Sequence, residues 1–189
     1  MYLFFDTETT GLPRDWKAPV TALDNWPRLV QLAWLAYDET GKLLDTGEHI
    51  VRPEGFRISS EVARIHGITH DRALAEGEPV ADVLRGFGDW MRRASYLVAH
   101  NMAYDEKIIG AEFLRLGLPN LLDAKPKICT MQRSAAFCNI PGPYGPKWPK
   151  LAELHQKLFH TTFAEAHDAA VDIQITAKCF WALRQQNIL

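Results

Sequence analysis

Tyr2-Leu3-Phe4-Phe5 is a continuous apolar run that breaks off at Asp6, and from Arg28 to Tyr37 nearly every position is apolar, Gln31 being the exception. Short runs rich in aromatic and branched side chains read as strands covered on both faces. Asp38-Glu39-Thr40-Gly41 is a turn, and Lys42 to Val51 reads as a partner strand. The connection is too short for a crossover, so this pair is antiparallel, with the first strand beside it. The helical rhythm appears later. Pro79 to Ala94 places Val83, Leu84, Phe87, Trp90 and Met91 on one side. Asn101 to Leu116 reads as another helix, with Ile108, Ile109, Phe113, Leu114 and Leu116 apolar, and Gly117 stops it. Asp168 to Gln186 is the closing helix, with Val171, Ile175, Cys179 and Ala182 at i, i+4, i+8 and i+11.

The intervening segments fill in the plan. Residues 13–28 hold Pro13, Pro19 and Pro27 with Trp16 and Trp26, which predicts a loop lying as a lid over the edge of the core. Ser59 or Ser60 caps a short helix that ends at Gly67. Ser95 to His100 is a short strand, a fifth falls near Lys127–Ile128, and Trp148 to Phe159 is a short helix. Pro141-Gly142-Pro143-Tyr144-Gly145-Pro146 excludes regular structure. The sum is an α/β layer with a mixed sheet, expected to form a single domain over residues 1–189.

Composition narrows the setting. Hydrophobic residues make up 47% and charged ones 23% of the chain, as in ordinary globular proteins, and the formal net charge is −2, so no global basic field draws nucleic acid. Cys129, Cys138 and Cys179 form no C-x-x-C pattern and read as reduced, buried thiols. The first apolar run is too short for a signal peptide or a membrane span, which predicts a cytoplasmic protein. One stretch departs from the average. Residues 124–152 hold no Asp or Glu, carry Lys125, Lys127, Arg133, Lys147 and Lys150, and interleave Phe137, Tyr144 and Trp148. Such a stretch is either plain surface or a local grip on a nucleic-acid strand, and a contribution to substrate grip is expected of it.

The candidate chemistry is acidic. Period two on a strand puts Asp6 and Glu8 on one face, where they repel each other until a cation intervenes. Oxygen-only ligands suit hard metals such as Mg²⁺ or Mn²⁺. Asp105 follows a strand-to-helix junction in His100-Asn101-Met102-Ala103-Tyr104-Asp105. In His167-Asp168-Ala169-Ala170-Val171-Asp172, Asp168 is an N-cap, Asp172 lies one turn into the helix, and His167 sits just outside it. Singly these are helix-start acids that favour the macrodipole by a few tenths of a kcal/mol. Together, four carboxylates call for two divalent cations, which can clamp the attacking and leaving oxygens of a phosphodiester displacement. A histidine with an ordinary pKa near 6.5 is suited to take a proton from the attacking water.

Phe-Asp-Thr-Glu-Thr-Thr-Gly-Leu from Phe5, His-Asn-x-x-Tyr-Asp from His100 and His-Asp-x-x-x-Asp from His167 together resemble the three motifs of the DnaQ-like 3′–5′ exonucleases. The branch is the one with a histidine in the third motif (DEDDh), within the RNase H-like superfamily. Ile65-His66-Gly67-Ile68-Thr69 matches a further segment of that family, and the resemblance runs from Tyr2 to about Ala182. It implies an RNase H-like fold with a five-stranded mixed sheet flanked by helices. It also implies hydrolysis of 3′-terminal phosphodiester bonds of DNA or RNA, releasing 5′-mononucleotides. Position by position, it makes Asp6, Glu8, Asp105 and Asp172 the ligands of two divalent cations, Mg²⁺ or Mn²⁺, and His167 the general base. It sets the terminal nucleotide against Thr9, Leu12, His66, Asn101 and Tyr104, with Leu12 wedged against the last base and Tyr104 stacked.

There are departures from the family. Gln31 stands where many members have Glu, and the 13–28 and 141–149 loops look longer than in compact members; both loops bear on substrate choice. The chain stops soon after the last helix, so no polymerase-binding tail is expected. Expected partners are single-stranded 3′ ends of DNA or RNA, and no membrane. The alternatives are a proofreading module acting with a DNA polymerase and a catalytically silent nucleic-acid-binding domain. The silent domain would normally have lost an acid or the histidine, and none is missing here. His167 argues against two-strand cutting of the RNase H kind. Choice between ribose and deoxyribose rests on contacts to the 2′-OH that no motif here carries.

Overall fold

Strand alternation on the first element divides the interior in two. The computed structural model describes residues 1–163 and 167–189. β1 (Tyr2–Thr9) turns Leu3 and Phe5 to one face of the sheet and Tyr2 and Phe4 to the other. β2 (Leu29–Tyr37) pairs antiparallel with β1, and β3 (Leu43–Ile50) pairs antiparallel with β2. Within that edge pair, Gly47 lies opposite Trp34. A Cβ on Gly47 would come within 2.1 Å of the Trp34 indole, so glycine is what lets that ring lie across β3 and stack on His49 at 4.7 Å. α1 (Ser60–His66), α2 (His70–Glu76) and α3 (Val80–Arg93) follow, then β4 (Tyr96–Ala99), α4 (Met102–Arg115) and β5 (Lys127–Cys129).

The five strands stand in the order β3-β2-β1-β4-β5, with β4 parallel to β1 and β5 parallel to β4. The carboxyl ends of β1, β4 and β5 and the amino end of β2 therefore share one edge of the sheet. Two short helices, α5 (Thr130–Arg133) and α6 (Ala135–Cys138), lead into a small hairpin of β6 (Pro141–Gly142) and β7 (Gly145–Pro146), and then α7 (Leu151–Phe159) and α8 (Ala169–Gln185) close the chain. α3 and α4 cover the Leu3 and Phe5 face, burying Leu84, Phe87, Ile108 and Ile109. α8 covers the Tyr2 and Phe4 face with Ile173, Ala177 and Phe180. Phe180 is fully buried, and Phe180→Ala would cost roughly 3–5 kcal/mol.

The structure adds two short elements to the sequence expectations and corrects two of them. The segment after Gly67 forms a second helix, α2, capped by Thr69, whose Oγ1 accepts from the Arg72 N–H. The 13–28 loop contains a single 3₁₀ turn at Leu23–Asn25. The proline-rich 141–146 stretch is a hairpin, because Pro141 and Pro146 occupy strand positions that need no ladder N–H, while Lys147 N–H reaches the Ile140 carbonyl. The buried side of α8 is also rotated from the expected stripe. Val171 is exposed, while Ile173, Thr176, Ala177, Phe180 and Leu183 are buried. α8 packs on the sheet through one flank and on α7 through Cys179, Leu183 and Ile175. A helix covered on two sides has no single i, i+4 stripe to read.

Candidate active site

β1 carries Asp6 and Glu8 to the shared edge of the sheet, in register with Ala33 and Gln31 of β2. α8 crosses the same face and brings Asp172, so that ligand oxygens of Asp6, Glu8 and Asp172 all lie within 4.8 Å of one another. At an effective dielectric of about 20, two like charges at that distance repel by roughly 3.5 kcal/mol. The acidities follow. Burial, then Asp105, Glu8, Asp172 and Asp168, hold the Asp6 carboxyl well above its ordinary range. Burial, followed by the charges of Asp172, Asp105 and Asp168, pushes Glu8 up to about 8. Such a group invites a divalent cation, and the all-oxygen donor set fits a hard one.

Asp105 comes from the other side. It is buried in the first turn of α4 and accepts a 2.7 Å hydrogen bond from Thr7 Oγ1, on the β1 face opposite Asp6 and Glu8. Burial pushes it to about 7, against the pull of that hydroxyl. Asp105 thus flanks the three-acid cluster, and its charge raises both Asp6 and Glu8. Thr7 was not singled out from sequence, although its place between the two acids of β1 was the available signal.

The start of α8 is fastened by Gln31. Asp168 caps the helix by accepting from the Ala170 and Val171 N–H groups at 2.9 and 3.4 Å. The buried Gln31 amide accepts from Ala169 N–H at 3.1 Å and donates to Asp168 Oδ1 at 3.4 Å. The lone polar residue of an apolar strand is therefore a clamp on the helix that carries Asp172. His167 stands one residue before the cap, exposed, with φ of +42°.

The expected nucleotide contacts gather around the β1 terminus. Tyr104 Oη donates to Gly11 O at 2.7 Å and lies 2.6 Å from Thr9 Oγ1, and burial holds its phenol above the ordinary value. Gly11 adopts φ of +145°, which turns the chain outward to Leu12, 74% exposed. Trp16 of the loop is 56% exposed and sits 5.6 Å from the Tyr104 ring. Asn101 holds a left-handed φ of +77° just before α4. His66 is buried; its Nδ1 accepts from Ile68 N–H, and its Nε2 has no hydrogen-bond partner among the described residues. Burial lowers the His66 pKa, which favours a neutral ring.

The loop behind this cluster is rigidly tied. Thr10 N–H donates to Arg28 O, and Arg28 N–H returns to Thr10 Oγ1, both at 2.9 Å. Glu112, 1% exposed, pairs with Arg28 at 2.7 Å and Arg115 at 2.8 Å. Arg115 also donates to the Leu23 and Trp26 carbonyls, and Trp26 is packed in the core as the lid reading requires.

Two lysines of the basic stretch are ion-paired within the fold. Lys147 forms a two-oxygen ion pair with Glu153 at 2.7 and 3.0 Å, just past the acid-free window, and Lys150 N–H donates to the same carboxylate. Lys127 pairs with Glu106. Tyr144 at the hairpin tip is fully exposed, and Trp148 is 58% exposed. His100 Nε2 meets Pro149 O at 3.1 Å, tying this segment to the end of β4.

Comparison with known proteins is consistent with this geometry. The DNA polymerase III PolC-type of Streptococcus pyogenes serotype M2 (strain MGAS10270) is 31% identical over 131 residues, 69% of this chain but 8% of that protein. The chain thus spans only a small part of this relative's length. The zinc-bound complex of E. coli ExoI with single-stranded DNA matches with a TM-score of 0.76 at 20% identity, covering 99% of this chain and 41% of that one. The nuclease domain of 3′hExo, a DEDDh family member bound to rAMP, gives 0.77 at 18% identity, covering 99% and 92%. At these identities the structures establish the RNase H-like fold. No helix among the described residues is long and apolar enough to cross a membrane. The exonuclease family model RNase_T matches residues 3–180, and the chain belongs to that exonuclease family.

Proposed function

We propose that this chain hydrolyses the terminal phosphodiester bond at single-stranded 3′ ends of DNA or RNA and releases 5′-mononucleotides. The observation that carries the reading is the convergence of Asp6, Glu8 and Asp172 within 4.8 Å, flanked by Asp105. Two divalent cations, Mg²⁺ or Mn²⁺, bound by these four carboxylates would polarise the scissile phosphate and stabilise the charge developing on it. The protein's own groups do the rest. His167, exposed beside the cap of α8, takes a proton from the attacking water as its oxygen bonds to phosphorus. The bond from phosphorus to the 3′ oxygen of the shortened strand breaks, and that oxygen is protonated. Leu12 wedges against the last base, Tyr104 stacks, and Thr9 and Asn101 contact the terminal nucleotide. The Nε2–H of His66, without a partner among the described residues, donates to the terminal nucleotide, relieving a buried orphan worth about 1–3 kcal/mol.

The reading takes residues 1–189 as one exonuclease domain acting in the cytoplasm, which suits three free, buried cysteines. The test is digestion of matched single-stranded DNA and RNA, labelled at either end, with Mg²⁺, Mn²⁺ or excess EDTA. A 5′-labelled strand should give a ladder shortening from its 3′ end only when metal is present. Full activity in EDTA, or a label lost from the 5′ end as a mononucleotide, would overturn the reading. The alternative is a module that proofreads beside a polymerase, the setting that the name of the PolC-type relatives describes. Turnover by the isolated chain without any polymerase separates the two.

A further inference from the structure

A cavity of about 480 Å³ opens between the start of α1 and the start of α2. That is within the roughly 300–1,000 Å³ range of ligand sites. Its lining includes Arg57, Arg64, Ser59, Thr69 and His70, with Asp71 as its acid. Among the described residues neither Arg57 nor Arg64 makes an ion pair or hydrogen bond, whereas Arg28, Arg72, Arg85, Arg92 and Arg115 all pair with carboxylates. The hydroxyl oxygens of Ser59 and Thr69 already accept from Val62 and Arg72 N–H groups, which leaves their O–H protons to donate outward. His70 Nδ1 accepts a long 3.5 Å bond from Ile58 N–H, leaving Nε2 as an outward donor. The lining is thus rich in donors and net positive.

Its position ties it to the carboxylate cluster. Ile58, in the cavity wall, packs with Ile68 on Val30 of β2. The next residue, Gln31, lies opposite Glu8 and holds Asp168. Thr69 is three residues beyond His66. The cavity therefore lies beside β2, next to the edge of the sheet where the acids meet.

We infer that the Arg57–Arg64 cavity is a binding site for nucleic-acid backbone phosphate, holding a phosphodiester away from the scissile one. This inference rests on the exonuclease reading, since it needs a nucleic-acid substrate. The forked guanidinium of arginine matches a phosphate in two-point contact, and two of them without acid partners would hold one or two backbone phosphates. The phosphates come either from upstream in the substrate strand or from a complementary strand.

The test compares wild type with R57Q/R64Q, and with Arg64→Gln alone as a milder variant. Binding of labelled dT15, dT3 and a duplex with a recessed 3′ end is followed by fluorescence anisotropy in EDTA at several salt concentrations. Digestion of the same substrates is followed with Mn²⁺. For the long substrates, affinity should fall about tenfold in the double variant. The salt slope should drop by about 0.7 for each single-strand phosphate, or about 0.9 for each duplex phosphate, that is no longer neutralised. kcat/KM on dT3 and the melting temperature should stay unchanged. Weakening confined to the duplex assigns the phosphates to the complementary strand, and weakening of dT15 assigns them to the substrate strand. Unchanged affinity and salt slope on every substrate, with wild type still trimming 3′ ends, would overturn the cavity and leave the exonuclease reading intact. A wild type that neither binds nor trims any strand would remove both.

Discussion

Asp6 and Glu8 stand two residues apart on β1, and Lys147 and Lys150 stand three apart after the hairpin; folding treats the two pairs in opposite ways. Around the carboxylates it adds like charge, bringing Asp172 from the far end of the chain and Asp105 from α4. Around Lys147 it adds the opposite charge, Glu153. Like charges gathered in this way favour a bound cation, while Lys147 has its counter-charge within the fold. A charge becomes a candidate binding site when the fold gathers like charge around it instead of opposite charge.

Asp172→Asn gives the largest expected effect, because it cuts the cluster itself. Removing one ligand should weaken Mn²⁺ binding in calorimetry and lower kcat/KM by roughly 10³-fold or more, several kcal/mol of charge stabilisation. Wild-type metal affinity in this variant would mean that the cluster is not the metal site. His167→Ala comes next and separates base from ligand on neighbouring turns of chain. It should lose about 10²–10⁴ in kcat while keeping its metal affinity. Loss of metal together with rate would make His167 a ligand instead of a base.

The protonation state of the cluster provides a third measurement. Glu8 is raised from its ordinary 4.5 to about 8, and Asp105 from 3.8 to about 7. Between the ordinary and raised values the folded, metal-free protein binds more protons than the unfolded chain. These carboxyls therefore help the fold at low pH, and that help is lost as pH rises through the raised values. A cation must displace the same protons, so the melting-temperature gain from Mn²⁺ should be larger near pH 8 than near pH 6. A gain independent of pH would show that the acids are already ionised without metal. The smallest effect is expected at Lys147→Ala, where KM and its salt dependence should change less than about twofold, since a partly exposed pair contributes about 0–1 kcal/mol at most. A large rise in KM would return Lys147 to the substrate path, as its sequence neighbourhood suggests.

What was legible in the chain depended on how far apart the cooperating residues lie. The acids of β1 were readable because alternation is a property of two neighbouring peptides, and Asp172 because a cap and one turn of helix are equally local. Gln31 was visible as the one polar residue in an apolar strand, yet its role as a clamp on Asp168 and Ala169 depends on how α8 docks. The buried side of α8 was misread because α7 covers a second flank, which no helical period within α8 could announce.

By itself the sequence determined the strand and helix ends on which the acids and His167 sit, since those features arise from backbone geometry over two to four residues, and its three motifs carried the family resemblance. The tertiary structure alone decided which charges meet. It set Asp172 against Asp6 and Glu8, held Asp105 on Thr7 from the opposite face, and cancelled Lys147 with Glu153. It also left Arg57 and Arg64 around a cavity with no acid partner among the described residues. Electrostatic energy depends on distance through space and on burial, and both are set only when segments far apart in the chain pack together.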